Sequence, residues 1–249
     1  MHVKEFLNKL EIQNLIADND LEAVYNKYDE QVMHWGRNEL TTYLLDRGVD
    51  PLYFFTDSIP EWAFYGCDKL IDITIPNYLS AIGRAAFNRC ENLTSITIPN
   101  SVISIEDWAF QNCDSLTNVT FGENSQLTTI GDDAFYSCTN LTSITIPDSV
   151  TSIGDYAFHN CKSLTSVIIP DAVTAISEGV FEVCHSLTSI TIPDSVTAIG
   201  EKAFHNCISL TINYKGTKEQ WKNIKKHKAW RYRSSIEVIH CTDGDIKPR

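Results

Sequence analysis

Residues 130–152 read Ile-Gly-Asp-Asp-Ala-Phe-Tyr-Ser-Cys-Thr-Asn-Leu-Thr-Ser-Ile-Thr-Ile-Pro-Asp-Ser-Val-Thr-Ser, and nearly the same phrase begins again at Ile153. One phenylalanine marks each copy, at a spacing of 23 residues that lengthens to 25 between Phe110 and Phe135. The marked positions are Phe64, Phe87, Phe110, Phe135, Phe158, Phe181 and Phe204. Self-similarity at a short fixed period predicts a stacked array, in which each unit buries its apolar residues against its neighbours.

The unit itself predicts a strand followed by a tight return. Ile144-Thr145-Ile146 alternates with the period of a strand, so both isoleucines are expected to face inward. Pro147 cannot donate a ladder hydrogen bond and is expected to end the strand. The Ala-Phe pair and the cysteine of each copy are predicted to point inward from a short helical turn. The two extra residues lie within 121–127, which predicts a loop on the outside of the array.

Charge and composition exclude several classes of protein. The chain has 249 residues, 43% of them hydrophobic, with 32 acidic against 20 basic side chains and a formal charge of −12. That balance argues against general affinity for nucleic acid or an anionic membrane. No apolar run is long enough to span a bilayer. Charges interrupt the N-terminal apolar residues, so no signal peptide is predicted and a cytoplasmic location is the simpler expectation.

The cysteines follow the repeat rather than a disulfide pattern. Seven of the eight occupy the same place in successive copies: Cys67, Cys90, Cys113, Cys138, Cys161, Cys184 and Cys207. Equivalent positions of a stacked array form one internal line, so these side chains are predicted to be small buried apolar groups.

The two ends of the chain differ from the array. Residues 1–58 predict a small helical cap, with a separate docking module as the alternative. Residues 59–210 form the array of about six to seven coils, and residues 211–249 a C-terminal capping unit with a loose tail from Asp243. Within that unit, Thr217 to Gln220 has the form of a helix capping box, and Trp221 is expected to cover the end of the core.

The segment A-F-x-x-C-x-x-L and the strand end I-x-I-P, written about seven times over residues 59–210, resemble the BspA-like leucine-rich repeats. The resemblance implies an α/β repeat solenoid: a leucine-rich repeat horseshoe with a parallel sheet on its concave face. The ends add the helical N-terminal cap and the mixed C-terminal cap. It also implies a binding role, associated in that family with adhesion and protein contact at cell surfaces.

No set of side chains predicts catalysis, a metal or a cofactor. His159 and Cys161 lie two residues apart, as do His205 and Cys207, but in this register the cysteine faces inward and the histidine outward. The acidic positions beside each glycine predict a solubilising surface row. The Ser and Thr residues of the strands predict a hydroxyl-rich face without a base nearby. The chain is therefore not expected to be an enzyme.

Specificity is expected where the copies differ, on either side of the Ala-Phe pair. The large side chains there suggest a partner-binding stripe on the outer or lateral surface, formed by Trp62, Trp108, Tyr136, Tyr156 and His159. The alternative is that each ring lies across the return segment of the neighbouring coil.

These observations favour a non-catalytic protein–protein binding scaffold. An intracellular effector is the first interpretation of such a scaffold. One alternative is a cell-surface or secreted adhesin-like binder. Another is an acidic charge-mimic inhibitor of a host nucleic-acid-binding enzyme, encoded by a virus or mobile element. Nucleic-acid contact by the chain itself has one candidate, a basic segment near the C-terminus. That segment contains Lys222, Lys225, Lys226, Lys228, Arg231 and Arg233, with Trp221, Trp230 and Tyr232 among them.

Overall fold

The computed structural model describes Leu52, Phe55 and residues 57–248. The helical cap predicted for residues 1–58 therefore lies almost entirely outside the described residues. From residue 57 onward the chain winds into coils, each with two short strands and one return segment. The predicted parallel-sheet solenoid is confirmed.

The first strand of each coil coincides with the L-x-x-I-x-I pattern. These strands pair in parallel with equivalent residues one repeat away, as in Ser95 opposite Asn118. In β3 and β11, for example, the isoleucines face the core and the hydroxyl side chains face outward, as the alternation predicts. They are β3 (Ser95–Ile98), β5 (Asn118–Phe121), β7 (Ser143–Ile144), β9 (Ser166–Ile168), β11 (Ser189–Ile192), β13 (Leu210–Tyr214) and β15 (Ile236–Cys241), with the antiparallel β16 (Gly244–Ile246) at the edge.

The second strand of each coil is two residues long and ends on a buried aliphatic residue in all but the last coil. These strands also pair in parallel along the array. They are β1 (Ser58–Ile59), β2 (Ala81–Ile82), β4 (Ser104–Ile105), β6 (Thr129–Ile130), β8 (Ser152–Ile153), β10 (Ala175–Ile176), β12 (Ala198–Ile199) and β14 (Lys225–Lys226).

The return segment is a run of turns rather than the predicted short helical turn. Every second N–H donates to the next coil: Tyr156 N to Glu178 O at 2.8 Å, Phe158 N to Val180 O at 3.0 Å. The N–H groups between them donate three residues back, as His159 does to Tyr156. This alternation requires left-handed backbone two residues before and two residues after each phenylalanine, where φ is +51° to +63°. We call this surface the turn side.

A phenylalanine stack forms the core. All seven marker rings are fully buried and lie nearly parallel, with centroids 4.9–5.8 Å apart. The seven repeat cysteines are buried beside them and form no disulfide within the described residues. From Cys90 onward each thiol also donates to the phenylalanine carbonyl of the preceding coil, for example Cys161 Sγ to Phe135 O at 3.2 Å. Burial raises the pKa of the Cys161 thiol to about 12, so it is protonated and can donate.

Both sheets are interrupted at one boundary. β7 does not pair with β9, and β8 does not pair with β10. These are the two strand contacts between the coil of residues 141–163 and the coil of residues 164–186. We call this interruption the sheet gap. The turn side and the phenylalanine stack continue across it, with Phe158 and Phe181 at a centroid distance of 5.7 Å.

The capping unit contains one more coil. Trp230 takes the place of the marker phenylalanine: its carbonyl accepts from Phe204 N at 2.9 Å, and its ring meets Phe204 edge to face at 5.9 Å. Ser234 replaces the cysteine and donates to the Phe204 carbonyl. A complete coil was not predicted here, because a tryptophan and a serine stand where the repeat has phenylalanine and cysteine.

Three further predictions concern the C-terminal unit: its helix capping box, the position of Trp221 and the loose tail. The capping box is confirmed, since Thr217 and Gln220 exchange hydrogen bonds at the start of the helix α1 (Lys218–Asn223). Trp221 is buried against Tyr214 and Trp230, where it covers the end of the core. The loose tail is wrong for Gly244–Ile246, because this segment pairs with β15 and closes the sheet edge.

Candidate protein-binding surface

The five stripe residues lie on the turn side, and all are half-buried. The variable positions do not all face solvent: Ala85, Asn88, Gly179 and Glu182 are buried. Ala85 and Gly179 have left-handed backbone themselves, and Asn88 and Glu182 each lie directly before a left-handed residue.

Trp108 is held from both neighbouring coils. Its indole Nε1 donates to Asp133 Oδ2 at 3.1 Å, and the Arg84 guanidinium lies 4.1 Å from its ring centroid. Burial raises the pKa of the Asp133 carboxyl, while the hydrogen bond from Trp108 opposes that shift. One coil earlier, Trp62 meets Tyr65 edge to face at 5.1 Å.

Tyr136, Tyr156 and His159 form one aromatic group. The Tyr136 and His159 rings stack at a centroid distance of 4.5 Å, with 6° between their planes. Tyr156 meets His159 edge to face at 5.9 Å and donates its hydroxyl to Glu178 in the next coil. That hydrogen bond raises the pKa of Tyr156. Gly179 provides the room, since a Cβ there would lie 2.2 Å from the Tyr156 ring.

The structure therefore brings three of the stripe residues into contact and places Trp108 and Trp62 in separate clusters farther along the same side. Each ring except Trp62 contacts a neighbouring coil, as the alternative interpretation expected. The binding role of the stripe stays a prediction.

The row of acidic residues has a structural use that the sequence did not reveal. Asp107, Asp132 and Asp155 each accept, through Oδ1, the backbone N–H of the equivalent residue one coil on, at 2.8–2.9 Å. Among the described residues, no group of three His, Cys, Asp or Glu side chains is arranged to hold a metal ion.

The outward face of the first sheet is polar, with one exception. Its hydroxyl residues include Ser95, Thr97, Ser143, Thr145, Ser166, Ser189 and Thr191, most of them exposed. Ile168 stands at the position of Thr145 and is 62% exposed.

A groove of about 600 Å³ on this face lies between the inserted loop, Phe121–Gln126, and the end of β7. Sequence reasoning placed the loop outside the array but did not predict the groove. The two-residue insertion between Phe110 and Phe135 was the sequence feature from which a groove could have been predicted.

In the basic C-terminal segment Lys226 is engaged in the cap, whereas Lys222, Lys225, Lys228 and Arg233 are exposed. Lys226 donates to the carbonyls of Trp221 and Ile224, and its ammonium lies 4.6 Å from the Trp221 ring centroid. Burial lowers the pKa of Lys226. Of the three aromatic residues in the segment, Tyr232 alone is exposed. The predicted stacking surface for nucleic acid is thus reduced to one exposed ring, which itself contacts His205 and Arg233.

None of the helices in the described part of the chain is long and apolar enough to cross a membrane. A search of curated proteins found no match.

Solved structures share the fold. A leucine-rich repeat protein of T. pallidum is 29% identical, with a TM-score of 0.59 over 72% of this chain and 78% of that one. A leucine-rich cell surface protein of Faecalibacterium prausnitzii is 33% identical, with a TM-score of 0.53. The match covers 72% of this chain but 52% of that protein, so the chain spans about half of its length.

The family model for the BspA type leucine rich repeat region matches residues 56–161 and 123–236. This span includes the array and the additional coil of the capping unit, and it indicates no enzymatic family. The chain belongs to the BspA-type leucine-rich repeat family.

Proposed function

We propose that this chain is a non-catalytic protein-binding scaffold whose partner contacts the turn-side stripe of Trp62, Trp108, Tyr136, Tyr156 and His159. The observation that carries the proposal is how these rings are held. Trp108 is fixed between Arg84 and Asp133, and Tyr156 between His159 and Glu178. Tryptophan and tyrosine dominate binding energy at protein interfaces, and a side chain that is already ordered loses less entropy on binding.

The repeat supports the same proposal. Residues that vary from copy to copy lie on the turn side, directly above a phenylalanine stack that does not vary. A rigid array can therefore present several anchors at fixed spacing, so that contacts made by one ring help to place the next.

The test is affinity capture with a purified bait, followed by mass spectrometry of retained proteins. The stripe variant combines Trp108→Ala with Tyr156→Ala, and the matched control combines Thr97→Ala with Thr145→Ala on the sheet face. We expect the stripe variant to lose the proteins that wild type retains, and the control to keep them. Circular dichroism and thermal melting verify that both baits are folded. Unchanged capture by a folded stripe variant would contradict the proposal.

An intracellular effector in the cytoplasm is our first proposal for where the scaffold acts. A surface or secreted binder is the second, and the similarity to a cell surface protein of Faecalibacterium prausnitzii favours it. Protease treatment of intact cells that express the native gene separates the two. A surface protein is degraded while a cytoplasmic marker survives, and an effector inside the cell survives with the marker.

An acidic charge-mimic inhibitor is the third form, supported by the fixed row of Asp107, Asp132 and Asp155. Such a partner would be a host enzyme with a basic, nucleic-acid-binding surface. Its capture should weaken as salt rises, because screening acts on exposed charges. Capture that is insensitive to salt would count against this form and leave the aromatic stripe as the anchor.

A further inference from the structure

Three side chains from successive coils meet on the turn side, at the position directly after the marker phenylalanine. Glu182 lies between two histidines, with Oε1 2.6 Å from His205 Nδ1 and Oε2 3.5 Å from His159 Nδ1. Glu182 is 8% exposed, and both imidazoles are largely covered. One buried carboxylate is therefore shared by two titratable rings.

The hydrogen bonding of this group is incomplete. His159 Nδ1 and His205 Nε2 are buried without a hydrogen-bond partner. A buried polar atom without a partner costs free energy, and a buried charge costs more. The group therefore tolerates a neutral His159 better than a protonated one.

The surroundings of His159 also favour its neutral form. Tyr136 stacks on its ring, Tyr156 meets its edge, and Glu182, His205 and Lys202 are the charged or titratable groups that face it from the next two coils. Burial lowers the pKa of His159, the Glu182 carboxylate opposes this, and His205 and Lys202 lower it further. Burial outweighs the carboxylate, whose Oε2 lies 3.5 Å from His159 Nδ1, beyond the usual hydrogen-bond distance.

The His159–Glu182 contact crosses the sheet gap. The strands on either side of the gap are unpaired. The coils of residues 141–163 and 164–186 are joined by the turn side, by the phenylalanine stack and by backbone hydrogen bonds beside the strands, such as Thr165 N to Thr142 O at 3.1 Å. Two independent features, a titratable cluster and an interruption of both sheets, thus occur at one boundary.

We propose that His159, Glu182 and His205 form a pH-sensitive clasp across the sheet gap, which is closed at neutral pH and opens on acidification. When His159 takes up a proton, its ring gains hydration by leaving the Tyr136 stack and the Glu182 carboxylate. Because both sheets are interrupted at this boundary, loss of the His159 contact should loosen the coil of residues 164–186.

The direction of the His159 pKa shift decides whether the clasp opens at low or at high pH. The His159 pKa in the closed clasp is lower than its ordinary value of about 6.5, so the open state binds the proton more readily. Stability of the clasp is complete above that ordinary value. It falls as the pH drops below it and is lost below the pKa of the closed state.

Hydrogen–deuterium exchange of the full chain at about pH 7.5 and about pH 5.5 tests the proposal, with rates corrected for intrinsic exchange. We expect peptides within residues 164–180 to lose protection at the lower pH. Equivalent peptides within residues 94–110, where both sheets are paired, should keep theirs. In His159→Gln the loss at residues 164–180 should disappear. His185→Gln, which removes an exposed histidine of the same region, should keep it.

Two outcomes would overturn the clasp. One is an equal loss of protection in wild type and in His159→Gln; the other is an equal loss at residues 94–110. If His159→Gln does not fold, a nuclear magnetic resonance titration of the wild-type imidazoles decides instead. The clasp requires His159 to titrate below the ordinary histidine range together with shifts at residues 164–180. Titration at or above that range contradicts it.

Discussion

The turn side and the two strand sides join the same coils, but strand pairing is missing at one boundary, whereas the turn side continues through all of the described coils. At the sheet gap, Tyr156, Phe158 and Asn160 still donate their N–H groups to the next coil, whereas the strands are unpaired. The coils of this solenoid therefore stay in contact through the backbone hydrogen bonds of the turn side and through the phenylalanine stack. The sheets add to that continuity without being required at every boundary.

The gap has a sequence cause that becomes visible only beside the regular boundaries. Ser101, Ser149 and Ser195 each donate a hydroxyl to the preceding coil at 2.7 Å, and Ala172 stands at the equivalent position. Ala172 has no hydroxyl, so this tie between the coils is missing.

A second change acts at the same boundary. Ser177 replaces the glycine found at 154 and 200, and its Oγ donates to the Ile153 carbonyl at 2.5 Å. That carbonyl accepts a backbone N–H at the glycine positions, as Ile130 does from Gly154. A side chain alone does not break the ladder, because Glu106 keeps this backbone bond. A missing serine alone does not break the ladder either, because Gln126 stands at this position where β4 pairs with β6. The combination of Ala172 with a hydroxyl that takes over the carbonyl distinguishes the gap.

The largest expected effect is that of Phe158→Ala. Removing a buried phenylalanine should lower the free energy of unfolding by about 3–5 kcal/mol. Urea unfolding followed by circular dichroism measures this loss. Because both sheets are interrupted at the gap, we also expect the single transition to split into two. Phe110→Ala, at a fully paired boundary, is the control and should keep one transition. Equal cooperativity of the two variants would contradict the special role of the stack at the gap.

Gly179→Ala should have the next largest effect, since it disturbs the turn side at the gap. The added Cβ would lie 2.2 Å from the Tyr156 ring, and overpacking of this kind costs about 1–3 kcal/mol. Left-handed backbone is not the main cost, because Ala85 adopts it at the equivalent position. In a Tyr156→Ala background the same change should cost less. An equal cost in both backgrounds would show that the ring is not responsible.

A smaller effect should follow from removing or adding the serine hydroxyl that donates to a carbonyl of the preceding coil. Ser149→Ala removes a hydroxyl donor from the Leu127 carbonyl and should cost about 1 kcal/mol. Ala172→Ser combined with Ser177→Gly should restore the missing bonds and gain a similar amount. Denaturation midpoints at constant slope report both changes. If the repaired chain is no more stable than wild type, the gap has a cause other than these two residues.

Thr145→Ala should have the smallest effect. Its side chain is exposed on the sheet face beside the gap and makes no hydrogen bond within the described part of the chain. A change of this kind usually alters stability by less than about 0.5 kcal/mol. Thermal melting is the measurement. A loss comparable to that of Ser149→Ala would mean that the outward hydroxyls join the coils after all.

Much of the fold was predictable because the repeat states it many times. The alternation at Ile144 and Ile146 predicted an inward-facing strand, and the regular cysteines predicted a buried line; both are confirmed. The candidate site was less predictable. Sequence placed Tyr136 and His159 at equivalent positions of neighbouring copies, which made contact between them plausible, but nothing in the sequence fixes a stacked geometry.

The sequence by itself determined the period, the strand positions, the residues of the core and the family. These follow from local pattern, since each copy repeats the same apolar spacing. Only the tertiary structure decided the run of turns with alternating left-handed backbone, the sheet gap and the sharing of Glu182 by His159 and His205. The physical reason is that all three depend on hydrogen bonds and contacts between neighbouring coils. Those contacts are set by the distance and rotation between coils, which a single repeat does not encode.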